Sequence, residues 1–132
     1  MSQENVEIVE AAIAAYLTDD EVAVRELVVP DLVISTRPDQ PDVLDHHGYE
    51  GLLRASAEWV EAWTEHTFEV VRAWDAGDFV FVCARESGRG KTSGVPMETE
   101  TTFLYTLSER KIIRLQIFGS EQEALKAVGL AE

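Results

Sequence analysis

Histidine, carboxylate, arginine and ring side chains carry whatever chemistry this chain can do, and their spacing limits the options. Asp45-His46-His47, with Asp42 close by, sets imidazole beside carboxylate, a pairing that can move a proton or ligate zinc or iron. Neighbouring histidines in a loop point in different directions and lack the i,i+4 spacing of a helical ligand pair, so no metal site is expected. His46 or His47, reaching inward from a polar loop, is then the candidate acid–base group, with the Tyr16 hydroxyl as a candidate donor. His66 follows the third helical segment, where an imidazole can interact with C-terminal carbonyls. Arg85, Glu100 and Arg114 fall on three strands and can meet either as a buried catalytic set or as an exposed ladder of ion pairs. Unpaired buried charge is costly, which favours the ladder, at under about 1 kcal/mol per pair. Tyr16, Trp59 and Trp63 are rings for a core or for a ligand cavity. Gly88-Arg89-Gly90-Lys91 lacks the strand–loop–helix context of a phosphate loop.

Stepwise periodicity shows what must hold these groups. Val6, Val9, Ile13, Tyr16 and Leu17 line one side of a helix from about Gln3 to Leu17. Thr18-Asp19-Asp20-Glu21 has the pattern of a capping box. A short second helix carries Val24, Leu27 and Val28 and stops at Pro30. Leu32–Arg37 reads as a strand, and Pro38–His47 as a loop. Gly48 opens a third helix with Leu52, Ser56, Trp59 and Trp63 on one stripe. Strands follow at Thr67–Trp74, Phe79–Glu86, Val95–Leu107 and Lys111–Phe118, then a short helix capped at Ser120 and ended by Gly129. Phe103, Tyr105 and Leu107 face one way. A three-residue loop pairing Leu107 with Lys111 puts Ile113, Leu115 and Ile117 on the same side, which makes an apolar wall. Helices followed by a meander of strands give the α+β class.

Composition narrows the partners. The chain has 132 residues, 45% of them hydrophobic, and a formal charge of -14. That length suits a single domain, residues 1–132. The charge argues against nucleic acid and against an anionic membrane surface, both of which are bound through clustered Lys and Arg. Cys83 alone excludes an internal disulfide, and its apolar surroundings suggest a buried, inert thiol. No apolar run approaches the roughly 20 residues of a membrane span, and the N-terminus lacks the pattern of a signal peptide. A cytoplasmic location is expected.

Gly48-Tyr49-Glu50-Gly51-Leu52, with Trp59 further along the helix, resembles the Gly-x-Glu-Gly segment of the SnoaL-like proteins, members of the nuclear transport factor 2-like superfamily. The opening Ser2–Val9, the Asp75-Ala76-Gly77-Asp78 turn, and Lys111–Arg114 leading to Glu123-Ala124-Leu125 and Gly129-Leu130 match as well. The resemblance implies a cone: a curved antiparallel sheet wrapped round N-terminal helices, with a short C-terminal helix and a pocket at the open end. It also implies a homodimer through the outer sheet face. It implies little about activity, because one cone serves isomerases, cyclases, hydrolases and binding proteins. Where catalytic relatives carry a carboxylate on the first strand, this chain has Thr36. Where they carry an acid or histidine before the last hairpin, it has Phe103. Their first-helix phenol aligns with Ala12, one turn before Tyr16. An epoxide-hydrolase-like site needs two acids bracketing an arginine; Arg85, Glu100 and Arg114 could cluster here, but on the outer face.

The expectation is a pocket for a small hydrophobic or aromatic metabolite, with no cofactor. Tyr16, Trp59, Trp63, Phe103, Tyr105, Leu115 and Ile117 would shape it, and Thr36, Thr101 and a histidine would be its polar handles. One alternative is an isomerase- or cyclase-like enzyme using His46 or His47. Another is a dimeric interaction module joined through Phe81, Leu104 and Phe118.

Overall fold

Val6, Val9 and Ala12 give helix α1 (Ser2–Leu17) its buried side, and α2 (Glu21–Leu27) follows round a tight corner. The computed structural model describes residues 2–36 and 45–130. Its corner is capped by Asp20 instead of Thr18. Asp20 accepts from the Ala23 N–H at 3.2 Å, and the Thr18 hydroxyl donates back to the carbonyls of Ala14 and Ala15. Asp19 takes a positive φ of 58°, which turns the chain and moves the cap two residues on.

Pro30 does not end the second helix. The helix stops at Leu27, and β1 (Val28–Ser35) begins at once, pairing in parallel with β6 (Lys111–Phe118). Register shifts between Val28 and Val33, and a proline without a ladder donor fits such an irregularity. Next comes a two-residue strand, β2 (His46–His47), antiparallel to β1 at Val33 and Ile34. The rest of the expected loop, Asp42 included, lies outside the described residues. Helix α3 (Gly48–Val60) presses onto β2. A Cβ on Gly51 would come within 3.0 Å of the His46 Cβ, a packing reason for the second glycine of the Gly-x-Glu-Gly segment.

Three long strands follow: β3 (Trp63–Ala76), β4 (Phe79–Gly90) and β5 (Pro96–Ser108). With β6 they complete a curved, unclosed six-stranded sheet of order β2-β1-β6-β5-β4-β3, antiparallel except for β1 against β6. The α+β cone is as the sequence implies. Trp63 is a correction, because it opens β3 and does not continue the α3 stripe. The last hairpin is a second one. Ser108 pairs with Lys111, leaving a two-residue turn of Glu109 and Arg110, both at positive φ as a type I′ turn requires. A bulge between Thr106 and Leu107 then restores parity. Phe103 faces Ile117, Tyr105 faces Leu115, and Leu107 meets Ile112 in place of Ile113.

Alternation divides the sheet between two cores. The inner one joins α1, α2, β1 and Ala55 to Val80, Val82, Tyr105, Leu107, Ile112 and Leu115. The outer one lies under α4 (Glu121–Ala127), where Ala124 covers Phe81, Leu104 and Phe118, and Trp74 stacks on Phe81 at 4.3 Å. Those three residues were assigned to a dimer face. Phe81 and Leu104 are 0% exposed and Phe118 8%, so they are spent within the chain. Cys83 is half-buried on the same face, with its Sγ 3.4 Å from Glu121 Oε1, so it is not enclosed as its apolar run suggests.

Candidate functional site

On β4 the inward series runs Val80, Val82, Ala84 and then Glu86. The first three are small and apolar; the fourth is a carboxylate with its side chain only 4% exposed. Burying a charge there is costly unless its oxygens find donors. They do, from three other elements. Trp59 of α3 donates its indole N–H to Oε1 at 3.0 Å, His66 Nε2 of β3 lies 2.9 Å from the same oxygen, and the Thr101 hydroxyl of β5 donates to Oε2 at 3.2 Å. His66 is the sole ionic partner of Glu86 within 4.0 Å among the described residues.

His66 faces the same side as Phe68, two positions on in β3, and Phe68 pairs with Glu86 itself; a break in β3 adds Trp63 to that side. Trp63 pairs with Gly90 and Thr64 with Arg89, but the register has slipped by one at Thr67 and Ser87. Glu65, inside this bulge, has a φ of 55°. Residues three apart in a regular strand face opposite ways. The bulge lets Trp63 and His66 share one side, with ring centroids 5.1 Å apart. Gly88 makes room for it: a Cβ there would lie 2.8 Å from the Thr64 carbonyl oxygen and 3.0 Å from the Trp63 ring. Arg89 braces the bulge through Glu65 at 3.1 Å.

The cluster lies on the lining of a cavity of about 940 Å³ that runs along the inner sheet face beneath the helices and reaches Phe118 and Glu123 near α4. Of the residues assigned to a pocket, Tyr16, Thr36, Trp59, Thr101, Phe103, Tyr105, Leu115 and Ile117 line it. Trp63 does not. It backs Trp59 at 5.4 Å, edge to face, and leaves its own indole N–H without a partner among the described residues. The candidate acid–base histidines also miss the cavity. His46 sits in β2 with Nε2 3.5 Å from Glu58, and His47 is exposed at the N-cap of α3. His66, assigned to helix-end carbonyls, is the histidine on the cavity wall.

Opposite the carboxylate, the Tyr16 hydroxyl donates to Ser56 Oγ. Burial, and after it the neighbouring Tyr16, push the Tyr105 phenol well above its usual range, so it remains an O–H donor at any physiological pH. Arg85 stands outside, 3.8 Å from Glu69 and 3.8 Å from Glu100, with all three side chains exposed. That is the surface ladder. Arg114, across from Thr106 on β6, lies apart from it. Among the described residues no group of three His, Cys, Asp or Glu side chains is placed to hold a metal ion.

Glu86 is the residue that sequence reasoning missed. Its signal was present: with odd β4 positions outward, the even series that begins Val80, Val82, Ala84 must end on an inward acid.

Comparison with known proteins gives a consistent picture. The SnoaL-like domain family profile matches residues 9–115. A protein of Jannaschia sp. CCS1, provisionally named a SnoaL-like polyketide cyclase, superposes with a TM-score of 0.75 at 20% identity, covering 100% of this chain and 95% of that one. A nuclear transport factor 2-like protein of Burkholderia thailandensis E264 gives 0.74 at 21% identity, covering 97% and 98%. TerC, co-crystallised with polyporic acid, gives 0.70 at 14% identity, covering 93% and 96%. No curated protein sequence matches the chain.

Proposed function

Since this chain belongs to the SnoaL-like domain family, we propose that its cone is a binding site for a small, largely apolar, ring-bearing metabolite with one polar end. The observation that carries this reading is the cavity itself. At about 940 Å³ it matches the size of small-molecule sites, and its lining is mostly aliphatic and aromatic, with polar groups gathered at Glu86, His66 and Thr101. The ring of the ligand would lie against Trp59, Phe103 and Ile117, and its polar end against the carboxylate cluster. TerC, of the same fold and co-crystallised with polyporic acid, agrees with a small organic occupant. The interaction-module reading has lost its named surface to α4.

The neutral fluorophore N-phenyl-1-naphthylamine tests the proposal. Saturable enhancement of its emission is expected with the native chain. Ile117→Trp, which fills the lining, is expected to weaken that binding about tenfold, or about 1.4 kcal/mol. Absence of saturable binding, or equal affinity in the filled variant, would reject the cavity as the site.

A further inference from the structure

We propose that His66 is a catalytic base on the cavity wall and Glu86 its positioning residue, so that the cone removes a proton from a weakly acidic C–H of a small apolar molecule. The inference rests on the pocket reading above and adds a reaction to it.

Four observations converge on this pair. Glu86 is buried on a wall where an aliphatic side chain would complete the Val80-Val82-Ala84 series, so packing alone does not call for an acid. Its oxygens are engaged by Trp59 and Thr101 as well as by His66, which fixes the carboxylate and leaves it a poor base of its own. A carboxylate facing His66 Nε2 holds the proton on that nitrogen, so the neutral ring carries its free lone pair on Nδ1. This is the arrangement of a general base oriented by a third group. Finally, the ring stands beside a bulge in which Glu65, a non-glycine residue, takes a positive φ, a local strain of the kind that gathers at working sites.

The surroundings suit proton removal from carbon. The cavity is mostly apolar, so a base inside it is poorly hydrated and more reactive than in water. Tyr105 stands on the same lining as an O–H group for an oxygen that gains charge. The other titratable groups on the lining are Tyr16, Asp19, Glu58, Glu100 and Glu123, from α1, the α1–α2 corner, α3, β5 and the α4 end.

A generic probe makes the step measurable. With 5-nitrobenzisoxazole, His66 Nδ1 would take the ring C–H proton. The C–H electron pair becomes the third C–N bond of a nitrile, and the N–O bond breaks with its pair leaving on oxygen. The product, 2-cyano-4-nitrophenolate, is coloured, and no oxidant or cofactor enters. The native chain is expected to accelerate this reaction saturably over buffer. His66→Gln, which keeps a hydrogen bond to Glu86, is expected to lower kcat ~100-fold while the melting temperature holds. Glu86→Gln is expected to lower kcat about tenfold. Its KM should change less than its kcat, and Glu86→Asp should restore part of the lost kcat. A native chain that binds the fluorophore but leaves the probe at the buffer rate would overturn the inference and leave the pocket reading standing; one that binds neither overturns both. Equal rates in His66→Gln and the native chain, or loss in Glu86→Gln alone, would overturn the assignment of roles.

Discussion

The two faces of the same strands solve opposite problems. On β4, Phe79, Phe81 and Cys83 point outward and meet a helix that fills the space; Val80, Val82 and Ala84 point inward and leave space unfilled. Each face also carries a carboxylate that meets more than one donor. Glu121, outside, bonds to Arg72, Trp74 and the Cys83 thiol near solvent, and Glu86, inside, is buried among Trp59, Thr101 and His66. The outer face pairs its acid with a guanidinium, whereas the inner face pairs it with an imidazole. Large side chains and an ion pair close the outer face; small side chains and a buried carboxylate–imidazole contact border the cavity on the inner one.

If that contrast is real, truncating a ring should cost far more outside than inside. Phe81→Ala is expected to destabilise the fold by about 3–5 kcal/mol, since a fully buried ring leaves a void that packed neighbours cannot close. Phe103→Ala, beside an existing cavity, is expected to cost about 1–2 kcal/mol, the lost burial of a half-covered ring. Denaturant melts of the two variants check this, and equal costs would erase the distinction between the faces.

The inner acid gives a finer test. Glu86→Leu strands the Trp59 indole N–H and the Thr101 hydroxyl at the wall, and a loss of about 1–3 kcal/mol is expected in the same melts. A stabilised variant would mean instead that the buried carboxylate is kept at the expense of stability, which sharpens the case for a chemical role.

The smallest expected effect belongs to the outer acid. Partial burial by itself would raise the Glu121 carboxyl, but hydrogen bonds from Arg72 and Cys83 outweigh it and hold the group below the usual carboxylate range. A depressed folded value stabilises the fold above the unfolded value, and that contribution disappears as pH falls through the folded one. Acidification below the ordinary carboxylate range should therefore loosen α4 first, seen as a change in Trp74 emission that Glu121→Gln abolishes. An identical acid response in that variant would remove Glu121 as the anchor.

Much of the frame was legible because it depends on short periods. Alternation alone put Phe103, Tyr105, Leu115 and Ile117 on one wall and Arg85 with Glu100 on the other face. The hairpin turn was read one residue too long, yet the bulge after Thr106 repaired the parity, so the wall survived the error. Trp63 was misread because a spacing of four after Trp59 continues a helical stripe by coincidence, and only the chain's turn at Glu61 and Ala62 shows that the helix has ended. Phe81, Leu104 and Phe118 were given to a partner because no pattern in their own strands reveals that α4 folds back over them.

The α+β class and the apolar wall thus belong to the sequence by itself, since both are written in local spacing, and the family is carried by the resemblance of its motifs. The site belongs to the tertiary structure. Glu86, His66, Trp59 and Thr101 come from four elements separated by up to 42 positions, and they meet because β3, β4 and β5 pair side by side and the sheet curves round α3. Alternation within β4 turns Glu86 inward, but no local spacing shows which side chains of α3, β3 and β5 will reach its oxygens.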